Sequence, residues 1–85
     1  MDRNSIVNLL KEIFITCSVM DESEEDITVV ESTAAELDSF TYISVLLEIE
    51  ERFEIEIPEK YLGENILVSL DFLCNLIEDL KNNTN

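Results

Sequence analysis

Histidine and tryptophan are absent from this 85-residue chain, glycine and proline occur once each, and only five residues are basic against 20 acidic ones. Without histidine the chain lacks the side chain that most often activates a nucleophile at neutral pH or completes a zinc site. Cys17 and Cys74 are far apart, with no Cys-x-x-Cys pair, so metal binding through them is not indicated. One glycine leaves no glycine-rich phosphate loop. The formal net charge of −15 opposes phosphate backbones and anionic lipid surfaces, which disfavours nucleic-acid binding and favours basic partners with fast, salt-sensitive association. Near the start, Asp2 and Asn4 flank a lone Arg3, and Asn8, Lys11 and Glu12 interrupt the apolar residues. That pattern argues against a signal peptide or a membrane span and leads us to expect a monomeric cytoplasmic protein.

The hydrophobic share of 46% supports a globular fold, and the length suits one domain over residues 1–85. Ile6, Leu9, Leu10, Ile13, Phe14 and Cys17 recur at three and four residues, predicting an amphipathic helix over about Asn4 to Ser18 with Asn4 as its cap. A second helix is expected from about Ser39 to Glu54, with Tyr42, Val45, Leu46, Ile49 and Phe53 as its core face. Leu70, Leu73, Cys74, Ile77 and Leu80 mark the last helix, starting near Ser69 and ending at Lys81, with a frayed tail over 81–85. Pro58 halts regular structure after Ile55 and Ile57, and Glu59 to Leu62 reads as a helical turn closed by Gly63. The expected fold is an all-α small bundle of three main helices plus one short helix, with a long loop between helices one and two. Both cysteines fall on apolar stripes and read as buried, reduced thiols.

That loop runs for about twenty residues, longer than most connections in a compact domain. Ile27, Val29 or Val30, Ala34 or Ala35, and Leu37 are available to pin it to the bundle. Its acidic opening, Asp21 to Asp26, invites comparison with a calcium loop, but Asp26 stands where an EF-hand needs glycine and Ser32 where it needs glutamate. A solvated acidic segment is the expectation.

The second helix carries a second apolar set. Phe40, Ile43 and Leu47 lie around the wheel from the core face, in the arc of Glu50, Glu51 and Glu54, which suggests a docking surface with apolar anchors and a charged rim. The alternative is that the long loop or the short helix covers Phe40 or Ile43. At the entrance of this helix stands Ser39, without a histidine base; Lys11, Lys60 and Lys81 are the only lysines. Self-contained serine catalysis is therefore not expected, and the chain does not read as an enzyme. Either Ser39 caps the helix itself, or Asp38 caps it and leaves the serine hydroxyl in the first turn, where a phosphate would meet unpaired amides and the helix dipole.

Leu37-Asp38-Ser39-Phe40, the acidic run Val45 to Phe53, and Ile55-Glu56-Ile57-Pro58 together resemble the acyl carrier protein family across nearly the whole chain. The resemblance implies that Ser39 carries 4′-phosphopantetheine, installed from coenzyme A with magnesium by a phosphopantetheinyl transferase, and that Asp38 assists. It implies a thiol on that arm holding acyl or aminoacyl groups as thioesters. Phe40, Leu47, Glu48, Glu51 and Glu54 are then the expected contacts for loading ligases and pathway synthases with basic docking patches. Glu36 stands where many relatives have glycine, Phe40 replaces the commoner leucine as in D-alanyl carriers, and Gly63-Glu64-Asn65 lengthens the last connection. These departures point away from housekeeping fatty-acid biosynthesis and toward a specialised role such as polyketide or nonribosomal peptide biosynthesis. A cell-wall or fatty-acid carrier, and an unmodified acidic interaction domain without cargo, stand as alternatives. Ala34, Ala35 and Val68 are small enough to line space for an acyl chain, and ordinary packing explains them equally well.

Overall fold

In the computed structural model, which describes residues 2–82 apart from the Leu62 side chain, the chain is all-α. Among the described residues it forms helices α1 (Arg3–Thr16), α2 (Val29–Thr33), α3 (Ser39–Phe53) and α4 (Leu70–Asn82), with 3-10 turns at Ala34–Glu36, Glu59–Gly63 and Ile66–Val68.

The three long helices follow their apolar spacing. α1 buries Ile6, Leu10, Ile13 and Phe14, α3 buries Tyr42, Val45, Leu46, Ile49 and Phe53, and α4 buries Leu70, Leu73, Cys74 and Ile77. α1 packs against both α3 and α4, so these stripes meet in one core. No polar or charged residue among those described is buried. With the interior given wholly to apolar side chains, stability rests on area removed from water, at roughly 25 cal/mol per Å².

Helix ends depart from the sequence reading in identifiable ways. The cap of α1 is Asp2, whose extended backbone lets its carboxylate accept the Ser5 N–H at 2.8 Å; Asn4 already lies inside the helix. At the other end, the Cys17 N–H bonds the Ile13 carbonyl and the Val19 N–H bonds the Phe14 carbonyl, with Ser18 between them at φ 63. Ser69 caps α4 as expected, its hydroxyl oxygen accepting the Phe72 N–H at 3.3 Å. Lys81 and Asn82 are still helical, and the Lys81 ammonium donates to the Phe53 carbonyl at the end of α3 at 3.1 Å. The expected frayed tail is therefore ordered at 81–82, and residues 83–85 lie outside those described.

The long connection between α1 and α3 is not irregular throughout. Five residues form α2 and three more a 3-10 turn, too few for a 3.6-residue period to show in sequence. Met20, Ile27, Val30 and Ala34 are buried and anchor the segment, Val29 and Leu37 are half-buried, and Ala35 is exposed. α2 packs on the Ile66–Val68 turn, and the Glu31 carboxylate accepts the Leu70 N–H at 2.7 Å, giving α4 a second cap from a distant part of the chain. The short helix expected after Pro58 is a 3-10 turn. Its last residue is Gly63, which ends it without a positive φ.

Ser18 sits in the left-handed region, which costs an L-residue about 1–2 kcal/mol, part of which glycine would return as unfolded-chain entropy. Ser18→Gly should raise the unfolding free energy by about 0.5–1 kcal/mol in urea titration, with an unchanged slope.

Candidate functional site at the start of α3

Leu37 and Asp38 are extended, and Ser39 is the first helical residue of α3. The Asp38 carboxylate accepts the Thr41 N–H at 2.7 Å, and its carbonyl accepts the Tyr42 N–H at 3.0 Å. Asp38 is therefore the cap. That hydrogen bond from Thr41 holds the Asp38 carboxyl below its ordinary value, so it is ionised at neutral pH. Ser39 is exposed and its hydroxyl takes no hydrogen-bond partner among the described residues. The N–H groups of Ser39 and Phe40 belong to the first turn, where the helix itself supplies no acceptor.

Beside Ser39 lies a concavity of about 160 Å³ lined by Leu37, Tyr42, Gly63, Glu64 and Asn65. Its far wall is fixed by two side chains. The Tyr42 hydroxyl accepts the Ile66 N–H at 3.1 Å and has two carbonyls available for its single proton, Tyr61 at 3.0 Å and Glu64. Asn65 donates to the Ala34 carbonyl at 2.7 Å and accepts the Leu67 N–H at 3.1 Å. Burial pushes the Tyr42 phenol up, so it stays neutral and keeps its proton for the wall. Sequence reasoning missed both residues in this role: Tyr42 reads as a member of the core stripe, and Asn65 as a loop residue.

The outer face of α3 is open. Phe40 is 81% exposed, Leu47 58% and Ile43 41%, so neither the long loop nor the turn after Pro58 covers them. A groove of about 240 Å³ runs beside Ile43 and Leu47, lined also by Leu46, Glu50, Glu56, Ile57 and Glu59. Glu51 and Glu54 are exposed on the same stripe. Glu50 is occupied internally, its carboxylate accepting the Ile57 N–H at 2.7 Å.

Glu48 departs from the expected docking set. It lies about 100° around the helix from Leu47, is half-buried, and pairs with Arg52 at 3.7 Å, which also reaches Glu12 of α1 at 3.7 Å. Its carboxylate faces the α1 side instead of the open stripe.

Other candidate residues are accounted for structurally. Asp21 accepts the Ser23 N–H at 3.2 Å, and Asp26 accepts both the N–H and the hydroxyl of Thr28 at 2.9 and 2.8 Å, so these acids shape turns. Among the described residues no three His, Cys, Asp or Glu side chains converge on a point that suits a metal ion. Both cysteines are unpaired thiols; Cys74 is buried, whereas Cys17 is only half-buried, because it lies where α1 ends and its stripe leaves the core. Burial pushes both thiols up. No helix among the described residues is long and apolar enough to cross a membrane. Comparison with protein-family models, with curated proteins and with solved structures gives no match.

A carboxyl with a depressed folded value stabilises the fold while ionised; its contribution is full above its ordinary value of 3.8 and is lost as pH falls through the folded value. Melting temperatures taken from about pH 5 to about pH 2 should therefore fall less steeply for Asp38→Asn, which keeps a neutral acceptor, than for the native chain. The difference between the two is the readout, since protonation of the other carboxylates acts on both.

Proposed function

We propose that this chain is a phosphopantetheine-dependent carrier that holds acyl or aminoacyl groups as thioesters and presents them to partner enzymes. The observation that carries the reading is the unpartnered, solvent-facing hydroxyl of Ser39 at the start of α3, beside an aspartate already committed as the cap. A phosphate ester on that oxygen lies against the first-turn N–H groups and the positive end of the helix dipole, so the residues present suit the group. The chain has no histidine to deprotonate Ser39, which fits a serine modified by a separate enzyme.

In that modification the Ser39 oxygen forms a bond to the pantetheine-side phosphorus of coenzyme A. The bond from that phosphorus to adenosine 3′,5′-bisphosphate breaks, and the serine proton passes to a base on the transferase. Asp38 spends one carboxylate oxygen on Thr41; the other would be the one available to assist the transfer, where magnesium would supply charge neutralisation of the phosphates. The arm supplies a terminal thiol as the acyl attachment point.

The open stripe of α3 supports docking of basic partners, with Phe40 and Leu47 as anchors and Glu51 and Glu54 as its rim. Glu54 adds a second kind of support. It has φ 56 at the C-terminal end of α3, where backbone geometry favours glycine and the helix dipole disfavours a carboxylate. A glutamate held at that double cost fits a side chain needed for contact. The same stripe also serves the second reading, an acidic interaction domain without cargo, which differs only in leaving Ser39 unmodified.

Incubation with coenzyme A, magnesium and a broad-specificity transferase should add one phosphopantetheine by intact mass, and Ser39→Ala should abolish the gain. Labelling that persists in the mutant refutes the site, and no labelling of the native chain favours the second reading. Glu51→Lys combined with Glu54→Lys should raise the transferase KM by roughly fivefold or more at low ionic strength, with helicity unchanged. An unaltered KM would remove the acidic stripe from the transferase docking surface.

A further inference from the structure

A second concavity, of about 350 Å³ and lined by Glu64, Asn65, Ile66, Val68, Ser69 and Phe72, shares Glu64 and Asn65 with the one beside Ser39. The two neighbouring hollows are together called the furrow, with Ser39 in the first and Phe72 of α4 in the second. We propose that the far end of this furrow, the shelf made by Val68 and Phe72, binds the end group of the Ser39-tethered cargo, and that the group it takes is compact and apolar, foremost a single aromatic ring.

The proposal rests on the carrier reading above. Its first support is the order of polarity along the furrow. Next to Ser39 the lining is Leu37, Tyr42, Gly63, Glu64 and Asn65, richer in polar residues than the far end and so better suited to the polar stem of a pantetheine arm. Farther along, Val68 is 50% exposed and Phe72 43%, although both are apolar. They are the large apolar residues left uncovered outside the α3 stripe among those described.

The second support is what closes the alternative route. Between Ser39 and the core stand Tyr42 and its hydrogen bonds to the 61–66 segment, and behind them Ile66 and Leu67 are buried against the bundle. An end group on the arm is thereby directed along the surface and kept out of the interior. Asn65, bonded to both Ala34 and Leu67, holds the furrow's middle in place.

Size and shape then select the ligand class. A volume of about 350 Å³ lies at the small end of the ~300–1,000 Å³ span of ligand pockets, which favours a compact group over a long chain. Tyr61 meets Phe72 edge-on at 5.9 Å and 62°, which fixes the Phe72 ring and leaves part of it to stack on an aromatic acyl group. Tethering supplies an effective concentration in the millimolar range, so a shelf too shallow to capture a free ligand suffices for a tethered one.

The test loads Ser39 from benzoyl-coenzyme A and, separately, from acetyl-coenzyme A, and compares backbone amide shifts. Benzoyl should differ from acetyl at residues 64–66, Val68 and Phe72, with the core amides of Val45, Ile49 and Ile77 unmoved. Phe72→Ser should erase these differences; Val68→Ser serves the same purpose if the first variant does not fold. Neutral hydroxylamine should cleave the benzoyl thioester about threefold faster on the serine variant than on the native chain, with the acetyl thioester unaffected. Benzoyl-dependent shifts in the core, or none at the shelf, overturn the proposal while leaving the carrier reading intact. Failure to load Ser39 at all overturns both.

Discussion

One hydrogen bond, from the Thr41 N–H to the Asp38 carboxylate, sets where α3 begins. Because successive residues on a helix are separated by about 100°, the apolar spacing that follows that start decides which side chains enter the core and which face solvent. It places Tyr42, Val45, Leu46, Ile49 and Phe53 inward, and Phe40, Leu47, Glu51 and Glu54 outward. The cap bond itself relieves Ser39 of any capping duty. A serine that capped its own helix would have its oxygen turned to backbone amides; here the neighbouring aspartate does that work. The Tyr42 hydroxyl, one turn into the same helix, then joins α3 to the 61–66 segment and completes the surface around Ser39.

The distribution of cations follows from how few there are. Arg3 reaches Asp71, Asn75 and Glu78 of α4, Arg52 reaches Glu12 and Glu48, Lys81 bonds the Phe53 carbonyl, and Lys60 lies over the Tyr61 ring at 5.1 Å. Such partly exposed pairs each contribute little to stability, about 0–1 kcal/mol. Their larger effect is on the field outside. Among the described residues Glu51 and Glu54 take no ion pair, and both are exposed, so this part of the surface stays acidic where it meets solvent.

The long helices were legible because each presents its apolar residues at a spacing only a helix brings to one side. α2 was not, since five residues span less than two turns and Val30, its one buried member, with Ala34 of the turn that follows, shows no period. Asn4 is the cap expected from the sequence and Asp2 the cap observed; both residue types suit the position, and only backbone geometry distinguishes them. At the site, the Asp38-Ser39 pair and the exposed Phe40–Leu47 stripe could be read from local pattern. Glu48, which only the family resemblance adds to the docking set, pairs with Arg52 away from the arc that helical spacing assigns to Glu50, Glu51 and Glu54. The furrow walls could not be read at all, because Tyr42 finds Ile66, and Asn65 finds Ala34, across stretches of chain with no pattern linking them.

The two cysteines bear on the lifetime of any thioester held on an arm at Ser39. A protein thiolate within reach of such an ester would take the acyl group by exchange and strand it. Cys74 lies in the core and Cys17 is half-covered at the end of α1, and burial raises both thiols above their ordinary value of 9.0. Exchange requires the thiolate, so each is kept largely in its unreactive form at neutral pH. Were an acylated arm carried at Ser39, acyl transfer to Cys17 or Cys74 would be disfavoured by the same packing that builds the core.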